Sequence, residues 1–149
     1  MSSSPRHLEV IYCDDIREEV GHKFSYMGVY VGELTVPAAP VLLSKLCIAV
    51  RAVTDLDDPF ELLEVRVVKI KGEDQTDLIS TGHLPLPTDM LERNKDATRI
   101  VAQMTFMLSP FQIDEETTIQ VKAITEREEL RGMILRIRIV PPTASQTTH

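Results

Sequence analysis

No tryptophan occurs in these 149 residues, and phenylalanine and tyrosine together make up only 5% of them, so the core has to be built from aliphatic side chains. Cysteine occurs only twice, as Cys13 and Cys47. That is too few for a disulfide-stapled scaffold, and both lie in apolar stretches, the usual setting of buried reduced thiols; a Cys13–Cys47 disulfide is the alternative. Basic side chains are also scarce, 16 against 23 acids, giving a net charge of −7 and a pI near 5.1. Nucleic acids and anionic membranes are bound by cations that displace phosphate counterions, and the largest basic cluster here is Arg131, Arg136 and Arg138. Neither partner is expected. No apolar run approaches the roughly 20 residues of a membrane span, and Met1 to His7 has no apolar stretch of the signal-peptide kind. The expected compartment is the cytoplasm.

The chain that remains has the length of one domain. Residues 1–5 and 141–149 are too polar to fold onto a core and are expected as disordered tails around a single domain at 6–140. Between them the apolar residues alternate, which puts successive side chains on opposite faces of a strand. Leu46, Ile48, Val50 and Ala52 share one face; Leu63, Val65 and Val67 repeat the pattern. Ile100, Ala102, Met104, Phe106 and Leu108 oppose a second face that is itself partly apolar at Val101 and Met107. Ile119, Val121 and Ala123 form the next set. Met133, Leu135, Ile137 and Ile139 oppose Arg136 and Arg138 on the last strand, and these two strands bracket a hairpin at Glu126 to Glu129.

A first hairpin is expected to run from His7–Cys13 to Phe24–Val31 and pivot at Gly21. Pro37 and Pro40 mark an edge or crossing segment, because proline donates no ladder hydrogen bond. One short helix is expected at Pro87 to Lys95, capped by Thr88. The pattern predicts an all-β fold, an antiparallel β-sandwich of immunoglobulin-like or C2-like shape, without the buried tryptophan of true immunoglobulin domains. Ile48, Val50, Val65, Met104, Phe106, Val121, Leu135 and Ile137 are its expected core.

Chemistry-bearing clusters are few. Asp14, Asp15, Glu18, Glu19 and His22 crowd one segment and suggest a metal-dependent enzyme or sensor, but alternation sends neighbouring acids to opposite faces. Their bland reading is solvated charge, with Arg17 paired to Asp14 or Asp15. The run Cys13-Asp14-Asp15-Ile16-Arg17-Glu18-Glu19-Val20-Gly21, followed by Lys23-Phe24-Ser25 and Gly28-Val29-Tyr30, resembles the opening of an uncharacterised family of small β-rich bacterial and phage-borne proteins. Pro59-Phe60-Glu61, Leu108-Ser109-Pro110-Phe111 and Glu129-Leu130-Arg131-Gly132 are similar to further stretches of that family. The resemblance spans most of residues 7 to 138 and implies a bacterial or phage origin, without an activity.

A second acidic loop holds Asp55, Asp57 and Asp58 before Pro59-Phe60, similar to the calcium-binding turn of C2 domains. It lacks the Asp-x-Asp loop that completes such a site, since Asp114-Glu115-Glu116 does not match. The four histidines lie far apart, and no nucleophile elbow, phosphate loop, Cys-x-x-Cys or His-Glu-x-x-His is present. No cofactor and no catalytic residue are assigned. The sequence therefore points to a non-catalytic module that binds a protein partner or forms a homo-oligomer. Val101, Met107, Val68 and Ile70 lie outside the expected core faces. Ile134, Arg136 and Arg138, on the second face of a final strand expected to form a sheet edge, are its candidate interaction residues.

Overall fold

The computed structural model describes residues 6–85 and 99–142. The expected helix at Pro87 to Lys95 lies outside these residues, as do both expected tails apart from Pro141 and Pro142. The described residues form an all-β sandwich. A four-stranded sheet has the order β2 (Lys23–Val29), β1 (His7–Glu19), β5 (Leu46–Asp55), β8 (Arg99–Leu108). A five-stranded sheet has the order β3 (Glu33–Val36), β11 (Glu129–Ile139), β10 (Thr117–Thr125), β6 (Leu63–Lys71), β7 (Asp74–His83). Two short strands, β4 (Val41–Leu43) and β9 (Phe111–Ile113), pair with each other and bring Phe111 and Ile113 into the core.

One pairing departs from the expected antiparallel pattern, because β3 runs parallel to β11 from Glu33↔Arg136 to Val36↔Ile139. The chain leaves β2 and passes Gly32, at φ +78°, directly into the other sheet, so no hairpin forces β3 to reverse. The final strand is consequently no free edge over Arg136–Ile139.

Alternation fills the space between the sheets as expected for Ile48, Val50, Val65, Val121, Leu135 and Ile137, all buried. Met104 and Phe106 are only half-buried, because β8 is an edge strand. Met133 is 66% exposed and does not join Leu135 and Ile137. A register shift between Gln120 and Lys122 inserts an extra residue opposite β10 and turns Met133 out of the inward series.

Two contacts set how closely the sheets approach. Tyr12 crosses from β1 to donate its hydroxyl hydrogen to the Met133 carbonyl at 2.7 Å. At Gly132 an added Cβ would lie 2.6 Å from Val10 Cγ2 and 3.2 Å from the Val121 carbonyl oxygen, so only glycine lets β1 cross β11 here. At one end of the sandwich the Arg6 guanidinium is buried against three acids. Its Nη2 lies 2.7 Å from Glu126 and 3.4 Å from Asp58, and Nη1 is 3.5 Å from Glu128. It also stacks 4.8 Å over the Phe60 ring and donates to the Thr54 hydroxyl and the Pro59 carbonyl. The start of β1 is thereby tied to the β5–β6 loop and the β10–β11 hairpin.

Candidate interaction surface

The acids that crowd the sequence are separated by the pleat. Asp14 accepts a hydrogen bond from the Tyr30 hydroxyl, and its side chain occupies the space beside Gly28. Asp15 faces the other way and pairs with Lys45 at 2.7 Å, with Arg17 farther off at 3.9 Å. The Lys45 ammonium holds the Asp15 carboxyl below its ordinary range. Glu18 and Glu19 are exposed near the hairpin tip, where His22 sits at φ +58°. In the second acidic loop Asp58 is engaged by the guanidiniums of Arg127 and Arg6, Asp55 lies 3.9 Å from Arg99, and Asp57 is exposed. Among the described residues no three His, Cys, Asp or Glu side chains are grouped to hold a metal ion. The expected metal candidates are thus not brought together.

Ile134, Arg136 and Arg138 lie on the outer face of the five-stranded sheet. Ile134 is 38% exposed, and Arg138 pairs with Glu33 of β3 at 3.2 Å. Arg136, with Ile137, Arg138, Thr118 and Lys71, lines an open groove of about 230 Å³. On the same face Val68 is fully buried, although it points away from the sandwich core. Lys122 pairs with Arg66 in β6 yet carries its ammonium to Gln75 of β7, 2.9 Å away, so its aliphatic stem crosses over Val68. Val68 therefore offers no association surface.

The outer face of the four-stranded sheet is built differently. Ladder register places Val29, Cys13, Cys47 and Met107 in one row across all four strands, β2-β1-β5-β8. Tyr12 and Ile48 point into the core, so this row points outward. The adjacent row is Ile11, Ala49 and Thr105. Val29 is 51% and Met107 59% exposed, at the two ends of the row, whereas Cys13 and Cys47 between them, and Ala49 in the adjacent row, are buried. The band is flanked on one side by Asp15–Lys45 and on the other by Glu9–Arg51, which lies at 3.5 Å. An apolar centre with a charged rim is the anatomy of a protein interface.

The two thiols at its middle are unbonded. Burial pushes the Cys13 thiol up to about 11, with Cys47 adding to the shift and Asp14 and Asp15 contributing less. Burial likewise raises Cys47, whose Sγ contacts the Asp14 carbonyl at 3.8 Å. These are packed thiols rather than activated nucleophiles.

Sequence reasoning singled out Met107 and Val101 but missed the row that Met107 belongs to; Val101 lies in a different row, across from Val53. Val29, Ile11 and the two cysteines acquire their meaning only through cross-strand register, which no local pattern prints. No family model and no curated protein matches this chain. Among the described residues no helix is long and apolar enough to cross a membrane.

Proposed function

We propose that this protein is a non-catalytic β-sandwich that works by binding, to another protein or to its own kind, through the outer face of the four-stranded sheet. It acts as a cytoplasmic accessory or structural component of bacterial or phage origin. The observation that supports this reading is the Val29–Cys13–Cys47–Met107 row, an apolar band whose two ends are exposed and whose sides carry ion pairs. Charges bordering an apolar centre fix orientation and reject wrong partners, while the centre supplies the affinity.

The test is a comparison of two baits, the natural chain and Val29→Lys/Met107→Lys. Both substitutions fall on exposed positions and leave the melting temperature nearly unchanged. The natural chain is expected to hold a stoichiometric partner, its own copy or a foreign protein, that the double variant releases. Equal recovery on both baits, or no partner on either, contradicts the proposal.

A further inference from the structure

We infer that the occupant of this face is a second copy of the same chain, docked about a two-fold axis that runs parallel to the strands midway between β1 and β5. This inference rests on the binding role proposed above and names its partner. The warrant is the arrangement of charge. Glu9 lies directly across from Arg51, and Asp15 sits beside Lys45, so in both flanking cross-strand pairs β1 contributes the acid and the β5 side the base, with His7 against Glu9 and Arg17 near Asp15 on β1 itself. An axis along the strands reverses the order of strands but not the order of rows. It sets each β1 residue over the second copy's β5 residue from the same row.

Glu9 then meets Arg51 of the second copy, Asp15 meets its Lys45, and Val29 meets its Met107. The face is its own complement. The other way of packing two such faces, with the axis along the rows and midway between the two flanking pairs, sets Glu9 over Asp15 and Arg51 over Lys45. That juxtaposes like charges at both rims and is rejected. Facing sheets pack about 10 Å apart and within about 30° of aligned, a distance long rim side chains span. Closed two-fold pairing of one patch with itself is the commonest form of assembly.

A mixing experiment tests this pairing. Glu9→Arg and Arg51→Glu each place like charges face to face across the axis, so each variant alone is expected to dimerise at least about tenfold more weakly than the natural chain in sedimentation or light scattering. Mixed in equal amounts they should recover the dimer, because the new arginine of one chain then meets the new glutamate of the other. Circular dichroism checks that each is folded, and Met107→Lys at an exposed site should dissociate the dimer independently of charge. A dimer indifferent to all three substitutions places the interface elsewhere and overturns the inference. So does weakening by the single variants without recovery on mixing, or a dimer that survives Met107→Lys when the charge variants fail to fold. A natural chain that stays monomeric across micromolar concentrations also overturns it, and a foreign protein held by the natural bait but not by Val29→Lys/Met107→Lys would then leave the broader binding role standing.

Discussion

The two outer faces of this sandwich both carry apolar side chains where alternation calls for polar ones, and each hides some and presents others: Val68 is buried and Ile134 exposed on the five-stranded sheet, while Cys13 and Cys47 are buried and Val29 and Met107 exposed on the four-stranded one. On the five-stranded sheet Val68 is covered because Lys122 reaches across an intervening strand to Gln75. On the four-stranded sheet Lys45 and Arg51 have equally long stems, but their carboxylate partners sit beside them on β1, so the stems stay within their own rows. Nothing among the described residues is drawn across Val29 and Met107. The lesson is that an outward valine is hidden or presented according to where the neighbouring cation finds its anchor, not according to how many cations the sheet carries.

That comparison presupposes two sheets locked together, and the largest predicted effect comes from unlocking them. Arg6→Ala removes the buried cation that Glu126, Asp58 and Glu128 share, leaving Arg127 to Asp58 and Glu128 but no such partner to Glu126, and should cost about 3–5 kcal/mol, measured by denaturant unfolding. The same cluster predicts a pH dependence. Hydrogen bonding to Arg6 holds the Glu126 carboxyl down at about 2, against 4.5 for the ordinary group. A carboxylate whose value is depressed in the folded state stabilises fully above the ordinary value and loses that contribution as protons are taken up on acidification. The melting temperature should therefore fall between about pH 4.5 and pH 2, and Arg6→Ala should flatten that decline.

A sharper form of the comparison removes matched side chains from the two faces. Val68→Ala empties a sealed site and should cost about 2 kcal/mol, whereas Val29→Ala should change the stability of the single chain by less than about 0.5 kcal/mol. Smaller still is the cover itself. Lys122→Ala should cost about 1 kcal/mol, from a lost hydrogen bond and lost stem packing, and should expose Val68 to a hydrophobic dye that the natural face excludes. If removing Lys122 leaves dye binding unchanged, the contrast between the faces has another cause.

Much of the fold was legible because alternation is local. The β1–β2 and β10–β11 hairpins and the inward sets on β5, β6 and β10 follow from spacing alone. What was not legible depended on register. β7 has only Leu78 and Ile79 as large apolar residues, and they are adjacent in sequence; both reach the core because the register is irregular opposite Val67 and Val68, so no alternation announces the strand. The displacement of Met133 needed the bulge against β10. The role of Arg6 needed three distant acids to converge, and no spacing in the chain encodes that. At the candidate surface, alternation marks Met107 only as one outward apolar residue too many. Only pairing joined it to Cys47, Cys13 and Val29. Ile134, Arg136 and Arg138 attracted notice as the second face of a last strand, and the parallel partner that flanks this strand could not be read from alternation.

The two faces also carry a matched pair of reporters, since Met107 is 59% and Met133 66% exposed, one on the four-stranded sheet and the other on β11 of the five-stranded sheet. Peroxide converts an accessible methionine to its sulfoxide, and mass spectrometry locates the added oxygen. Measured on the natural chain at concentrations where it associates, and again after dilution, oxidation of Met107 should be slow in the assembly and fast once diluted, while Met133 reacts at the same rate throughout. Equal rates at both methionines under both conditions, or protection of Met133 instead, would contradict the claim that the outer face of the four-stranded sheet is where this protein binds.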